Sequence, residues 1–334
     1  MAPPPELEDF LSIGDVADEL GGLVEHAARL KSERQRGAGR ATLPGKNLAL
    51  VFEKPSARTR TSLEVAIRDL GGQATYLAPA DVQIGERESV ADVARVLSRY
   101  VDVIAYRAFR HANVVELARH ASVPVVNALD DHEHPCQVVA DLLTMHERWS
   151  GTFRGRRLAW IGDGNNVLHS LLLGCAGVGL DLSVAVPDDY RPREEVVRAA
   201  RAIGERTGAR LQLTSSPEQA ARGADALYTD VWVSMGEEAE AAEREAAFAA
   251  YQVNARLLGL AAREAFVLHD LPAHRGKEIT DDVLDGPRSA AWDQAENRLH
   301  AAKAIFERLL LPPARPDHRS RVRPLRGPRG RRRG

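Results

Sequence analysis

NLALVF (Asn47–Phe52), running directly into EKPSARTRTS (Glu53–Ser62), is the stretch from which the fold is read. The first six residues are short, apolar and continuous, the pattern of a strand buried on both faces. Pro55 and Ser56 then break the run, and Thr59–Leu70 reads as a helix that Gly71-Gly72 stops. A buried strand leading into a helix is the unit of a parallel α/β sheet. Working outward, Ala74–Leu77, Val103–Tyr106 and Val123–Asn127 are further strands, with helices at Ser89–Arg99 and Ala112–His120. Pro135–Trp149 follows as a long helix with proline in its first turn, where the missing N–H costs nothing. The pattern then restarts. Arg157–Ile161, Leu182–Val186, Arg210–Thr214, Ala226–Thr229 and Ala265–His269 read as strands. Asn166–Gly177, Arg193–Thr207 and the amphipathic Trp292–Leu311 read as helices. The expectation is an α/β protein of two similar units joined by one helix, with the boundary near residues 146–152. From Pro312 on the chain is rich in Pro, Arg and Gly, and disorder is expected there.

The chain has 334 residues, 44% hydrophobic and 28% charged, enough for two domains with full cores. A formal net charge of −2 hides a division. Residues 315–334 carry nine arginines and one aspartate, while the rest holds 36 basic and 46 acidic side chains, a net −10. An acidic body argues against a nucleic-acid-binding domain. The tail's nine arginines suit nucleic acid or an acidic partner, with a solvated extension as the favoured reading. No apolar run approaches the ~18 residues that span a bilayer. The opening MAPPPELEDFLSIGDV has no basic segment leading into an apolar one, so no secretory signal is expected. Cys136 and Cys175 form neither a disulfide framework nor a CxxC metal pair. A cytoplasmic protein without membrane contact is expected.

Five segments carry residues suited to chemistry. The strand-to-helix junction at Phe52–Ser62 offers free N–H groups and the positive end of a helix dipole, a ready anion site. Ser56, Arg58, Thr59 and Arg60 add hydroxyls and guanidinium forks that suit phosphate oxygens, although an N-capped helix with solvated arginines reads equally well. GxxxxGK[ST] is absent, so nucleoside triphosphate hydrolysis is not expected. In His132-Glu133-His134-Pro135-Cys136-Gln137, HxH lacks a third metal ligand at recognisable spacing. His134 there can donate to a carbonyl oxygen and Gln137 can bind an amide, with helix capping as the plainer reading. Cys136 is expected to pack. WIGDGNNV (Trp160–Val167) fails the dinucleotide fingerprint at Val167, so NAD binding is not expected, and Asn165-Asn166 suit a zwitterionic head group instead. TDVWVSMG (Thr229–Gly236) and HDLPAHRG (His269–Gly276) begin at strand ends, where Asp230 and Asp270 offer carboxylates to a cationic amine or cap turns. Arg298 in the last helix is either a surface side chain or a reach into a cleft.

In order along the chain, FEKPSARTRTS, Gln83, Arg107, HPCQ, WIGDGNN, TDVWVSMG, HDLPAHRG and WDQAENRLHA together resemble the ornithine carbamoyltransferases, from about Phe10 to Leu311. The resemblance implies two α/β domains, each with a central parallel sheet flanked by helices. A carbamoyl-phosphate-binding domain would cover 1–148 and an amine-binding domain 149–292, with helix 293–311 returning to the first and 312–334 as a disordered basic tail. It implies homotrimers with sites near subunit interfaces and no metal or organic cofactor. The implied reaction moves the carbamoyl group of carbamoyl phosphate to the side-chain amine of L-ornithine, giving L-citrulline and phosphate. Carbamoyl phosphate would meet Ser56, Ala57, Arg58, Thr59, Gln83, Arg107, His134, Gln137, Asp270, Leu271 and Arg298. Of these, Arg107, His134 and Asp270 would be catalytic. Ornithine would meet Asn166, Asp230, Ser234 and Met235.

Two positions depart from the pattern of that family. S-T-R-T-R is here S-A-R-T-R, so Ala57 lacks a hydroxyl and one hydrogen bond of ~1 kcal/mol is lost. H-C-L-P is here H-D-L-P, with Asp270 in place of cysteine. A second carboxylate beside Asp230 would hold an ammonium firmly, accept its proton, or admit a different amine.

Overall fold

The computed structural model describes residues 8–84, 87–234 and 238–312. The first sheet holds β1 (Asn47–Phe52), β2 (Gln73–Leu77), β3 (Val103–Arg107) and β4 (Val125–Leu129), parallel throughout in the order β2-β1-β3-β4. The second holds β5 (Arg157–Ile161), β6 (Asp181–Ala185), β7 (Leu211–Thr214), β8 (Ala226–Thr229) and β9 (Phe266–His269) in the parallel order β7-β6-β5-β8-β9. The helices around and between the strands of the first half are α1 (Leu20–Gln35), α2 (Ala57–Asp69), α3 (Pro79–Val82), α4 (Val90–Leu97), α5 (His111–His120) and α6 (Pro135–Arg148). Those of the second half are α7 (Asn166–Val178), α8 (Glu194–Thr207), α9 (Pro217–Ala221), α10 (Ala241–Phe248), α11 (Ala255–Leu258), α12 (Asp281–Leu284) and α13 (Ala291–Leu310). No helix among the described residues is long and apolar enough to cross a membrane.

Strand periodicity explains the layers. Leu48, Leu50 and Phe52 of β1 join the large core that runs from one sheet to the other, while Ala49 and Val51 face a separate cluster with Val90, Ala94, Val114 and Leu117. The second sheet repeats this, with Ala159 and Ile161 turned to a cluster under α9 and α11. Every residue of α6 from Pro135 to Met145 is buried, because this helix lies between the layers rather than on them. α13 packs against α6, α2 and α1, so the end of the described chain returns to the first sheet's helices.

Several bounds shift by a residue or two, α2 starting at Ala57 and β6 at Asp181 among them. The fourth strand begins at Val125 rather than Val123, since Pro124 has no N–H to give the ladder. The helix α1, not anticipated, buries Leu20, Leu23, Val24, Ala27 and Leu30 along one stripe. Residues 313–334, expected to be disordered, and Met235 lie outside the described residues.

The strand orders locate the site. In the first sheet the chain leaves β1 in one direction and returns to β3 on its other side; in the second, β5 and β8 stand in the same relation. The carboxyl ends of such strand pairs are open crevices where ligands bind in α/β sheets. Those ends carry Glu53–Thr59, Arg107, Gly162–Asn166 and Asp230.

Candidate functional site

A cavity of about 310 Å³ lies where the two crevices meet. The first sheet's side contributes Lys54, Ser56, Ala57, Arg58, Thr59, Arg107, Leu129 and His134, and the second contributes Asn166, Val167, Asp230, Ser234, Asp270 and Leu271. Arg298 reaches it from α13. A neighbouring cavity of about 440 Å³ shares Lys54, Asn166 and Ser234 and continues toward Asp163, Asn165 and Arg193.

Ser56 is the N-cap of α2; its Oγ accepts from the Thr59 N–H at 3.3 Å. The other first-turn N–H groups have no helical partner, and their residues, Ala57 and Arg58, line the cavity. Thr59 is buried, and its Oγ1 accepts from Ser56 Oγ at 3.1 Å, Arg298 Nη2 at 3.1 Å and Arg107 Nη1 at 3.4 Å. These three donors share the two lone pairs of Thr59 Oγ1, which leaves the hydroxyl hydrogen to point elsewhere.

Arg107 ends β3 opposite a bulge: Tyr106 pairs with Asn127, yet Arg107 pairs with Leu129, skipping Ala128. Bulges re-aim side chains beside sites, and this one sets Arg107 into the cavity. Burial, with Arg298 and Arg58 nearby, lowers Arg107 to about 10, still a cation at neutral pH. Its Nε has no partner. Burial likewise lowers Arg298 and, with Arg107, lowers Lys54. Unmatched buried cations are costly, so the cluster is built to receive an anion.

His134 precedes α6, and its N–H donates to Ser170 Oγ on α7 at 2.9 Å, while that hydroxyl donates to Glu133 at 2.8 Å. Burial and the charges of Arg298, Arg107 and Lys54 hold the imidazole well below its usual value, so it is neutral at pH 7. Its Nδ1 is buried without a partner among the described residues. Gln137 lies behind the cavity wall: Oε1 accepts from Arg298 and Nε2 donates to Asp141 at 2.8 Å. Asp141, which the sequence reading did not single out, is fully buried and also accepts from Gln294 Nε2 at 2.7 Å and the Tyr228 hydroxyl at 3.0 Å. Burial raises it to about 7 despite these donors.

Across the cavity, Asn165 caps α7 and donates from Nδ2 to Asp230 Oδ2 at 2.7 Å; Asp230 Oδ1 accepts from the Val231 N–H at 2.7 Å. Asn166 donates to the Asp130 carbonyl at 2.6 Å, tying the two halves together. Asp230, His269 and Asp270 form a potential cation cluster. Yet His269 Nδ1 accepts from the Leu271 N–H at 2.9 Å and Nε2 meets Glu278 at 3.0 Å, so its nitrogens are already engaged. Gln83 does not join the cavity. It sits at a left-handed φ of 47° and lines a different cavity of about 420 Å³ with Glu53, Phe109 and Arg110.

The carbamoyl-P binding domain of the aspartate/ornithine carbamoyltransferases matches residues 8–147, and the Asp/Orn binding domain matches residues 154–309. The chain belongs to this family. It is 52% identical over 304 residues to the ornithine carbamoyltransferase of Methanoculleus marisnigri, covering 91% of this chain and 97% of that one. With the ornithine carbamoyltransferase of Gloeobacter violaceus it shares 54% over 303 residues, 90% of this chain and 95% of the relative. The structure of the Pyrococcus furiosus ornithine carbamoyltransferase superposes with a TM-score of 0.87 at 47% identity, over 90% of this chain and 96% of that one. The carbamoyltransferase family therefore extends across both sheets and the cavity between them.

Proposed function

We propose that this chain transfers the carbamoyl group of carbamoyl phosphate to the side-chain amine of L-ornithine, giving L-citrulline and phosphate in arginine metabolism. The observation that carries the reading is one cavity with a cationic anion site on one wall and two carboxylates on the other. Ser56, Ala57, Arg58 and Thr59 would hold the phosphate with Arg107 and Arg298. These cations stabilise charge as the C–O bond to phosphate breaks, and a single such donor is typically worth ~10²–10³ in kcat. Arg107, neutral His134 and the Thr59 hydroxyl would donate to the carbamoyl oxygen as it gains charge. The Leu271 carbonyl would accept from the carbamoyl NH2, while Gln137, behind the wall, would hold Arg298 in place. Asn166, Asp230, Ser234 and Met235 would hold ornithine. Confinement of both reactants in one cavity supplies much of the remaining acceleration. No cofactor is needed for this chemistry.

The proposed assembly is a cytoplasmic homotrimer. In that assembly Gln83, which lies off its own subunit's cavity, would serve that of a neighbouring copy. Citrulline formation from carbamoyl phosphate and ornithine tests the activity, and its absence at millimolar substrates refutes the reading. A second reading, transfer to a different amine, is favoured by Asp270 alone. An acceptor panel decides between them: another amine exceeding ornithine tenfold in kcat/KM would establish the second.

A further inference from the structure

β8 and β9 are neighbours, paired Thr229 to His269, so the residues that follow each strand, Asp230 and Asp270, emerge side by side at the cavity. One carboxylate oxygen of each lies within 4.8 Å of the other. Two like charges this close and this buried do not both persist, so the pair holds one proton. Asp230 already accepts from Asn165 and Val231, which leaves that proton on Asp270. The Asp270 side chain lines the cavity and is only 10% exposed, and its Oδ1 is buried with no hydrogen-bond partner among the described residues. We propose that Asp270 and Asp230 form a one-proton carboxyl pair that takes the proton of the acceptor's ammonium group and so generates the nucleophilic amine. This rests on the carbamoyl-transfer reading of the cavity.

The groups facing Asp270 are consistent with that role. Asp230 stands after β8, with Tyr228 on β8 itself; Asp141 comes from α6, and Arg298 and Arg107 come from α13 and β3. His269 on β9 approaches within 3.8 Å, but its Nδ1 accepts from the Leu271 N–H and so gives Asp270 no proton. Burial and the Asp230 charge raise Asp270 well above the ordinary carboxylate range. That narrows its gap to an alkylammonium, near 10.4 for a lysine-like amine, and a general base works best when the gap is small. In the proposed step the incoming ammonium expels the shared proton to solvent and sits between the two carboxylates. An N–H bond then breaks as an O–H bond forms on Asp270. The freed lone pair forms the C–N bond to the carbamoyl carbon, the C–O bond to phosphate breaks, and the second amine proton leaves on phosphate. Asp270 returns its proton to solvent.

Three proteins test this: wild type, Asp270→Asn and Asp270→Cys, each checked for folding by its melting temperature. The asparagine variant is expected to lose roughly 10²–10⁴-fold in kcat, the usual contribution of a general base. Its KM for carbamoyl phosphate is expected to stay near wild type, and its kcat is expected to climb about tenfold per pH unit as free amine becomes available. Calorimetry of ornithine binding with inorganic phosphate present, in buffers of different ionisation enthalpy, is expected to detect one proton released by wild type and none by either variant. Wild-type kcat and pH profile in Asp270→Asn, or equal proton release by wild type and Asp270→Cys, overturns the proposal. If wild type forms no citrulline, the carbamoyl-transfer reading has failed instead, and the calorimetric comparison still decides whether the pair holds a displaceable proton.

Discussion

Asp141→Asn should change the pH dependence of stability in a calculable way. The Asp141 carboxyl is fully buried, accepts three side-chain donors, and titrates at about 7 rather than 3.8. A raised folded value means that between these limits the native state binds a proton the unfolded chain has lost. Its stabilising contribution is complete below about pH 4 and is lost as pH rises through about 7. A separation of about three units corresponds to about 4 kcal/mol in all, at about 1.36 kcal/mol per unit. About 2.7 kcal/mol of that falls between pH 5 and pH 9, the two units below the folded value. Asparagine keeps an oxygen for Gln137 and Gln294 and offers Tyr228 an N–H where the protonated carboxyl offers an O–H. Urea unfolding of both proteins at pH 5, 7 and 9, at one protein concentration, is expected to show the variant gaining about 2.7 kcal/mol on wild type across the series. All other titrating groups cancel in that comparison. Parallel pH dependences would refute the reasoning.

Arg298→Met removes the buried guanidinium that donates to Gln137 and Thr59. At ~1.5–3 kcal/mol for a charged hydrogen bond, KM for carbamoyl phosphate should rise roughly 10- to 150-fold; unchanged initial-rate KM would exclude Arg298 from the anion site. Ala57→Thr adds a hydroxyl in the first turn of α2 and should lower that KM about fivefold, the equivalent of ~1 kcal/mol; an unchanged or higher value would show that the lost hydroxyl is irrelevant here. Deleting residues 315–334 should leave kcat and both KM values as in the full chain, and a large loss would give the basic tail a part in turnover.

The frame was legible because its signals are local. Asn47–Phe52, Arg157–Ile161 and Ala226–Thr229 are strands with the bounds read from the sequence, each a short apolar run between breakers. The stripe of α1 was present in the spacing of Leu20, Leu23, Val24, Ala27 and Leu30, but Gly21, Gly22 and a charged second half weakened it. The cavity gathers Ser56, Ala57, Arg58, Thr59, Arg107, His134, Asn166, Asp230, Ser234, Asp270, Leu271 and Arg298, candidates named from motif order and family likeness. Asp141 was not legible. Its partners Tyr228 and Gln294 are 87 and 153 positions away, and one acid among the apolar residues in the middle of α6 reveals neither burial nor bonding. Gln83 shows the converse: a residue named with the site whose place in one chain is elsewhere.

The return of α13 has a consequence for biosynthesis. His134 leaves the ribosome long before Arg298, the cation that touches both Gln137 and Thr59. At 5–20 residues per second the delay is on the order of ten seconds. Throughout it, the nascent chain carries an anion pocket lacking one guanidinium, with α2 and α6 lacking the helix that packs on them. Chains cut short before that helix therefore lack a cation that both Gln137 and Thr59 touch, and the anion pocket is completed only after α13 has been made.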